Sequence, residues 1–316
     1  MRNILPALLF ILLFSTNAYS QDGKLISQSP YHVADSSIQK YQKLIPDIAD
    51  IIDSTNFYSI TYLSDGLKVK GYLAIPKKPG VYPAIIYNRG GNRDFSALSD
   101  GQIIRMLGLV SSWGYVCIAS QYRGNGGGEG QEEFGGKDVN DVLNLIPCLE
   151  QISQADTSRI GMLGWSRGGM MTYLALARTC RIKAAVSGSG MADALMNTQK
   201  RPEMDSVFAE LVPGYASNRD SALKSRSAVY WADKICKTTP LFLLSGSADW
   251  RVSPDEVLEL VGALYKAKHP LRFEFLEGGQ HSLVEHFEEV NRSIRLFFDT
   301  YLRDKKKWPS LLPHGN

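Results

Sequence analysis

Residues 160–169 read Ile-Gly-Met-Leu-Gly-Trp-Ser-Arg-Gly-Gly, and this stretch indicates the fold of the chain most directly. Residues 160–163 are apolar like a buried strand, and residues 170–177 have the composition of a helix. A strand, a Gly-x-Ser-x-Gly turn and a helix form a nucleophile elbow, a sharp turn that exposes the serine hydroxyl. Glycine relieves the crowding in such a turn because it has no Cβ atom. The stretch therefore predicts that Ser166 is a nucleophile beside a helix N-terminus that favours negative charge.

A glycine-rich turn carrying a solvated serine is the alternative interpretation of this motif, and two further residues weigh against it. Residues 240–246 predict a short buried strand, and Asp249 lies in the loop after it. Residues 271–276 alternate like a strand, and His281 lies in the loop that follows. Open α/β sheets place their chemistry at the carboxyl ends of the strands, so both loops are expected to meet near Ser166.

Both residues also have ordinary interpretations. Asp249 fits a loop aspartate paired with Arg251, and His281 fits a surface histidine, with His286 as the fallback base. The chain order Ser166, Asp249, His281 is nevertheless that of α/β-hydrolases, and it differs from the orders in chymotrypsin-like and subtilisin-like enzymes. In this assignment Ser166 attacks an acyl carbon, His281 takes and returns the proton, and Asp249 orients the imidazole.

Two backbone N–H groups are expected to form the oxyanion hole. One belongs to Arg167, the residue after the nucleophile. The other is expected in the loop after the third strand of the core, at Arg89, Gly90 or Gly91, and the sequence leaves open which N–H points inward. The Arg89 and Arg93 side chains either orient an anionic or carbonyl-rich substrate, are solvated, or pair with Asp94.

The order of the predicted elements favours an α/β-hydrolase fold. Strands and helices alternate along most of the chain, which implies a mostly parallel sheet with helices on both faces. The predicted strands are 57–63, 67–75, 83–88, 114–120, 160–163, 183–187, 240–246 and 271–276. The predicted helices are 38–52, 99–112, 137–152, 170–177, 254–267 and 283–302.

The chain is predicted to divide into one catalytic domain and smaller flanking segments. Residues 57–304 form the α/β-hydrolase domain, after an N-terminal helical segment at 21–56. Residues 191–236 interrupt the alternation and are expected to contain helices, because a structureless loop of this length is rare. They form either a lid or wall over the site or an ordinary helical excursion. Residues 305–316 are predicted to be a basic tail. The glycine-rich residues 122–130 lack a phosphate-loop signature, and they predict a flexible loop beside the site.

The first 20 residues are predicted to be a signal peptide. Arg2 precedes an uncharged, largely apolar run at 4–14, which is too short to span a bilayer. Ala18-Tyr19-Ser20 supplies the small residues that favour cleavage before Gln21. This predicts a secreted or periplasmic protein with no membrane span after cleavage, and an uncleaved anchor is the alternative.

Charge and cysteine content limit the partners and the redox state. The formal net charge of +3 gives no reason to expect a nucleic-acid partner, no cofactor or metal is predicted, and the oligomeric state is left open. Cys117 lies in a predicted strand as a buried thiol, and Cys148 lies on a predicted helix. Cys180 and Cys236 each precede a predicted strand, so they form a disulfide if those strands are neighbours and are free thiols otherwise.

Four stretches together resemble the catalytic domain of the prolyl oligopeptidase (S9) family of serine peptidases, over residues 57–303. They are the elbow at 164–169, Gln-Tyr-Arg-Gly at 121–124 leading to Gly-Lys-Asp-Val-Asn-Asp-Val at 136–142, Trp-Ala-Asp-Lys-Ile at 231–235, and Gly-Gln-His-Ser at 279–282. The resemblance implies the same three catalytic residues. We expect two departures from the family: the absence of the β-propeller, and the absence of paired glutamates of the kind that bind a free amino terminus in dipeptidyl peptidases. Ser245-Gly246 also stands where the family usually has His-Gly.

These observations predict a serine hydrolase that acts on a small-molecule or short-peptide substrate. The first expectation is cleavage of short peptide or acyl-amide bonds through an acyl-enzyme. The alternative is a carboxylesterase acting on small or sugar-linked esters with the same triad, since both reactions share the acylation step. A non-catalytic binding protein on this fold is the third interpretation.

Overall fold

The computed structural model describes residues 21–45 and 47–315. The predicted signal peptide, residues 1–20, lies outside the described residues, and its cleavage before Gln21 stays a prediction. Within the described part, no helix is long and apolar enough to cross a membrane. No three His, Cys, Asp or Glu side chains of that part are grouped so that they could hold a metal ion.

The strands of the described residues form one 9-stranded sheet. They are β1 (Leu25–Pro30), β2 (Thr55–Ser64), β3 (Leu67–Pro76), β4 (Tyr82–Asn88), β5 (Val116–Ser120), β6 (Ala155–Trp165), β7 (Ile182–Gly188), β8 (Leu241–Gly246) and β9 (Leu271–Leu276). Their order across the sheet is β1-β2-β3-β5-β4-β6-β7-β8-β9. Strands β4 to β9 are parallel to their neighbours among themselves, and β1, β2 and β3 add antiparallel pairings on one side. The prediction of a mostly parallel sheet is confirmed.

The chain leaves β4 and β6 in opposite directions across the sheet. From β4 it crosses to β5 on one side, and from β6 it crosses to β7 on the other. The crevice at the carboxyl ends of β4 and β6 is therefore the topological switch point, where open α/β sheets bind their ligands. The elbow follows β6 and the predicted oxyanion loop follows β4, so the topology places both at this crevice.

Helices lie on both faces of the sheet, as predicted. Alternate residues of the central strands enter different apolar clusters, because successive side chains of a strand point to opposite faces: Ile86 and Ile118 belong to one cluster, and Ile85 and Cys117 to the other. The α-helices are α1 (Asp35–Tyr41), α2 (Ile48–Ser54), α3 (Asp100–Gln102), α4 (Leu109–Ser112), α5 (Val139–Leu143), α6 (Leu145–Leu149), α7 (Arg167–Leu176), α8 (Ala194–Lys200), α9 (Glu203–Leu211), α10 (Tyr215–Lys224), α11 (Pro254–Lys266) and α12 (Phe287–Phe298). A π-helical turn, Ile103–Gly108, joins α3 to α4, and another, Asp299–Arg303, follows α12.

The N-terminal segment differs from the helical segment predicted for residues 21–56. Strand β1 pairs with β2 at the edge of the sheet, and the prediction missed it because its side chains are mostly exposed and show no apolar alternation. The single helix predicted at 38–52 is two helices, α1 and α2. The sequence between them contains Pro46, which disfavours helical conformation in the residue before it.

The excursion at residues 191–236 contains the helices that its length predicted, α8, α9 and α10. Its far end is tied to the sheet by the Cys180–Cys236 disulfide, which is present because β7 and β8 are neighbours. Cys117 and Cys148 are free and buried.

The glycine-rich residues 122–130, for which a flexible loop beside the site was predicted, form turns and bends. Gly124 donates to the Glu129 carbonyl and Glu129 donates to the Lys68 carbonyl, so the stretch is a hydrogen-bonded turn against β3. Its glycines serve positive φ angles, 78° at Gly124 and 59° at Gly126.

Candidate active site

Ser166 occupies the predicted elbow between β6 and α7. Its φ of 59° and ψ of −123° are strained for a residue with a side chain, which is typical of a nucleophile elbow. The flanking glycines are required by close packing: a Cβ atom on Gly168 would lie 1.9 Å from the Asn88 carbonyl oxygen, and one on Gly164 would lie 2.1 Å from that of Gly168. The elbow is thus pressed against the end of β4.

Asp249 and His281 form a hydrogen-bonded pair in the loops after β8 and β9. His281 Nδ1 lies 2.9 Å from Asp249 Oδ2 and 3.0 Å from Oδ1. A carboxylate only accepts, so Nδ1 donates, and in a neutral imidazole Nε2 then carries the lone pair. Asp249 is buried, and its Oδ1 also accepts from the backbone N–H groups of Arg251 (2.9 Å) and Val252 (3.0 Å). The carboxylate is therefore fixed by its own loop, and the alternative ion pair with the Arg251 side chain is not formed.

The loop of His281 is also tied to the elbow. Trp165 Nε1 donates to the His281 carbonyl oxygen at 2.9 Å, which joins the residue before Ser166 to the histidine loop. His286, the fallback base, lies instead near Glu277 and Glu289, with its Nε2 2.9 Å from the Glu277 carbonyl oxygen. The hydrogen bonds thus favour His281 over His286 as the partner of Asp249.

Ser166 and His281 line one cavity of ≈ 670 Å³. Gly90 and Gly91 border the same cavity. Much of its wall is apolar, from Met106, Leu109, Val110, Trp113, Leu163 and Ile294. The excursion at 191–236 also contributes to the wall, through Met191, Arg201, Glu203, Met204 and Val207.

The loop after β4 passes directly beside the nucleophile. A Cβ atom on Gly90 would lie 3.0 Å from the Trp165 carbonyl oxygen and 3.2 Å from Ser166 Cβ, so a larger residue would require these neighbours to shift by a few tenths of an ångström. Arg167 opens helix α7, and the first N–H groups of a helix have no acceptor within it. The N–H groups proposed for the oxyanion hole, at Arg167 and at Arg89, Gly90 or Gly91, therefore come from two segments in contact.

The Arg89 side chain is neither solvated nor paired with Asp94, and both of those interpretations are wrong. It is fully buried, and it donates to the carbonyl oxygens of Gln121 (3.0 Å), Arg93 (3.1 Å) and Gly90 (3.2 Å). Burial and the nearby Arg167 charge lower the pKa of Arg89. Because one guanidinium binds several carbonyls of residues 90–95, it holds the loop in shape from beneath.

Sequence reasoning missed a second buried arginine, the side chain of Arg167. Its guanidinium forms a short ion pair with Glu132, a 2.5 Å ion pair with Asp138, and a 3.0 Å hydrogen bond to the Gly91 carbonyl oxygen. Burial alone would lower the pKa of Arg167, but the two carboxylates outweigh it and raise the pKa. Burial likewise would raise the pKa of Glu132, and Arg167 lowers it below its usual range. The signal in the sequence was a charged residue inside the otherwise apolar start of a buried helix, which requires acidic partners.

A serine at an elbow, a histidine–carboxylate pair at the same sheet edge and a glycine loop beside the serine define the α/β-hydrolase class. This set of groups is the one that acyl transfer uses. The sequence model of the prolyl oligopeptidase family matches residues 104–305, and the chain belongs to that family. The protein is therefore a serine hydrolase.

Relatives agree with this assignment and differ in length. The uncharacterized peptidase YtmA of Bacillus subtilis is 34% identical over 197 residues, which cover 62% of this chain and 74% of YtmA. Dipeptidyl-peptidase 5 of Porphyromonas gingivalis is 24% identical, over 78% of this chain but only 37% of the relative. The chain thus spans about three quarters of one relative and less than half of the other.

Solved structures show the same fold. The acylaminoacyl peptidase of Pyrococcus horikoshii superposes with a TM-score of 0.69 and 22% identity, over 89% of this chain and 46% of that one. A 2,6-dihydroxy-pseudo-oxynicotine hydrolase superposes with a TM-score of 0.66 and 20% identity, over 87% of this chain and 74% of the other. The fold is thus similar to that of hydrolases with different named substrates.

Proposed function

We propose that the protein cleaves short peptide or acyl-amide bonds through an acyl-enzyme on Ser166, with His281 as general base and acid and Asp249 as its orienting carboxylate. The observation that carries the proposal is the 2.9 Å contact between His281 Nδ1 and Asp249 Oδ2, on the cavity that Ser166 also lines. Membership of a peptidase family supports amide cleavage.

The proposed reaction has two halves, acylation and deacylation of Ser166, and both use the same groups. Ser166 Oγ attacks the acyl carbon while His281 Nε2 takes its proton, and the bond to Asp249 stabilises the resulting imidazolium. The N–H of Arg167 and an N–H of the loop at 89–91 stabilise the oxyanion of the tetrahedral intermediate. His281 then protonates the leaving nitrogen. In the second half, His281 takes a proton from a water molecule that attacks the acyl-enzyme. His281 then returns this proton to Ser166 Oγ as the acid is released.

The cavity supports a small substrate. The described residues that enclose it come from the domain itself and from the excursion at 191–236, and the volume of ≈ 670 Å³ is that of a site for a small ligand. The acidic residue on the cavity wall, Glu203, accepts a hydrogen bond from Arg201 Nε at 2.9 Å. A free amino terminus would have to compete with that arginine, so an N-blocked substrate fits better than one with a free amine.

A carboxylesterase with the same residues is the second candidate. The apolar residues around Leu109 and Ile294 can take an aliphatic or aromatic acyl group without any contact to a peptide backbone. Esters are also the easier substrates chemically, because an alkoxide leaves without the protonation that an amine requires.

Fluorophosphonate labelling with mass mapping tests the proposal, together with esters and anilides that share one acyl group. We expect an adduct on Ser166, and turnover of both substrate types by the wild type but by neither with Ser166→Ala. Turnover of esters alone would select the carboxylesterase. Absence of both adduct and turnover in folded protein would contradict the proposed function and favour a binding protein.

We also propose that the protein is exported. The sequence of residues 1–20 supports this, and so does the Cys180–Cys236 disulfide, because disulfides persist in oxidising compartments. N-terminal sequencing of protein from the culture medium or periplasm is expected to begin at Gln21. A start at Met1 would contradict cleavage.

A further inference from the structure

The cavity beside Ser166 carries an excess of positive charge. Five arginines of the described residues line it: Arg93, Arg105, Arg167, Arg201 and Arg251. The acidic residue on the same wall is Glu203. A partly enclosed site with this imbalance attracts and retains anions.

The five arginines differ in their partners, and Arg167 is neutralised by Glu132 and Asp138. Arg93 pairs with Glu210 at 2.6 Å, and Arg201 pairs with Glu203 at 2.9 Å. The guanidinium groups of Arg105 and Arg251 make no ion pair with any residue in the described part of the chain. Two unneutralised cations thus face the cavity.

Arg251 is held by contacts that leave its hydrogen-bonding edge unused. The centre of its guanidinium lies 4.7 Å from the Trp250 ring and 5.5 Å from the Phe95 ring, and both rings are exposed. Stacking on aromatic faces fixes the plane of a guanidinium while its N–H groups stay free for a bidentate carboxylate. Arg105 makes a similar but longer contact, 5.9 Å, with the Phe287 ring.

The backbone of Arg251 is fixed relative to the proposed catalytic pair. Its N–H donates to Asp249 Oδ1 at 2.9 Å, and its carbonyl oxygen accepts from Asn197 Nδ2 at 2.9 Å and from Arg201 Nη1 at 3.2 Å. The excursion at 191–236 and the aspartate loop therefore hold this residue from two sides. A group bound by Arg251 would have a defined position relative to His281.

We infer that the site takes substrates that carry a carboxylate, and that Arg251 is the residue that determines this specificity, with Arg105 in support. The inference rests on the proposed function for the position of the scissile bond. The carboxylate can belong to the acyl group, as in a dicarboxylic monoamide, or to the leaving group, as at the free carboxyl terminus of a short peptide. Both sources present the same anion to the guanidinium.

Binding to the Ser166→Ala variant tests the inference without requiring turnover. Two matched ligand pairs separate the two sources: glutaryl-anilide against its neutral carboxamide, and butyryl-4-aminobenzoate against butyryl-4-aminobenzamide. In at least one pair we expect the carboxylate to bind about tenfold or more tightly, as a charge-assisted hydrogen bond allows. Equal affinities in both pairs would overturn the inference.

Variants then assign the preference to a residue. Adding Arg251→Gln is expected to remove most of the preference for the carboxylate, and Arg251→Lys is expected to keep part of it, because the charge remains but the planar fork is lost. Arg181→Gln is the control, since Arg181 pairs with Glu150 on the surface and does not line the cavity. A preference that survives Arg251→Gln and disappears with Arg105→Gln would overturn the assignment to Arg251.

Kinetics of the enzyme with Ser166 intact separate this inference from the proposed function. Turnover of the neutral members with no gain for the carboxylates would leave the proposed function standing and overturn the inference. A carboxylate preference in binding, without turnover of any substrate or labelling of Ser166, would support the anion site and contradict the proposed function.

Discussion

The two edges of the parallel strands β4 to β9 are held by different kinds of interaction. At the carboxyl edge, Ser166 has a positive φ, and the charge of Arg167 is buried between Glu132 and Asp138. A strained backbone and a buried charge each cost free energy, so they persist only where the surrounding structure imposes them.

The amino edge of the same strands has a covalent bond and a buried histidine, and its Arg181–Glu150 ion pair is exposed. Cys180, before β7, is bonded to Cys236, before β8. His269 is buried there, with its ring nitrogens 3.1 Å from the Pro270 carbonyl oxygen and 3.2 Å from that of Cys236. Burial lowers the pKa of His269 and so favours its neutral form.

From this difference we expect the chemistry to depend on the carboxyl edge and not on the amino edge. Changes at the carboxyl edge are expected to alter turnover, with or without a loss of stability, and changes at the amino edge are expected to alter the free energy of unfolding without altering turnover. The substitutions below test this division, in decreasing order of their effect on turnover.

Ser166→Ala is expected to lower kcat/KM roughly 10⁴-fold or more, because it removes the only proposed nucleophile. The unfolding transition should stay cooperative, which thermal denaturation followed by circular dichroism would check. The control is Ser153→Ala, at an exposed serine bonded to its neighbour Gln154. Full activity of Ser166→Ala would refute the proposed mechanism.

Asp249→Asn is expected to lower kcat roughly 10³- to 10⁴-fold, because the amide presents the wrong partner to His281 Nδ1 and favours the unproductive tautomer. The matched control is Asp255→Asn, since Asp255 lies in the first turn of α11, just after the Asp249 loop, but is exposed and pairs with Lys200. Steady-state kinetics with one ester substrate measure both. A loss of equal size in the two variants would show that charge near the loop, and not the hydrogen bond, is responsible.

Arg167→Gln is expected to affect both turnover and stability. It leaves Glu132 and Asp138 buried without a cation, which costs about 3–5 kcal/mol of unfolding free energy. It also removes the bond to the Gly91 carbonyl, so a displaced oxyanion loop should lower kcat by about 10²-fold, the effect of one lost donor.

Urea denaturation and kinetics on the same Arg167→Gln preparation measure the two effects. Arg181→Gln serves again as the control, because an exposed ion pair contributes about 0–1 kcal/mol. Unchanged kcat with reduced stability would show that Arg167 stabilises the carboxyl edge but does not contribute to turnover.

The sequence predicted the carboxyl edge well where the chemistry has a local signature. The elbow at Ser166 is a contiguous motif, and Asp249 and His281 each follow an apolar strand, so their edge of the sheet could be deduced from alternation alone. The mostly parallel character of the sheet followed from the alternation of strands and helices, whereas its strand order was not predicted.

What could not be predicted depends on contacts between distant segments. Arg89 was expected at the surface because nothing local shows that the carbonyl of Gln121 will lie beside it. The pairing of Arg167 with Glu132 depends on a loop 35 residues away. Strand β1 was missed because an exposed edge strand has no apolar period, and its pairing with β2 is what defines it.

Removing the disulfide is expected to have the smallest effect on turnover and a clear effect on stability. Cys180→Ser with Cys236→Ser should lower the unfolding free energy by about 2–4 kcal/mol, because the bond closes a loop with a sequence separation of 56 that contains the whole excursion. The wild type treated with reductant is the matched control, since Cys117 and Cys148 are already free. Chemical denaturation of both should give the same midpoint, with kcat/KM unchanged below the transition. A fall in kcat/KM under native conditions would show that the disulfide at the amino edge helps to position Arg251 and the excursion. The division between the two edges would then be wrong.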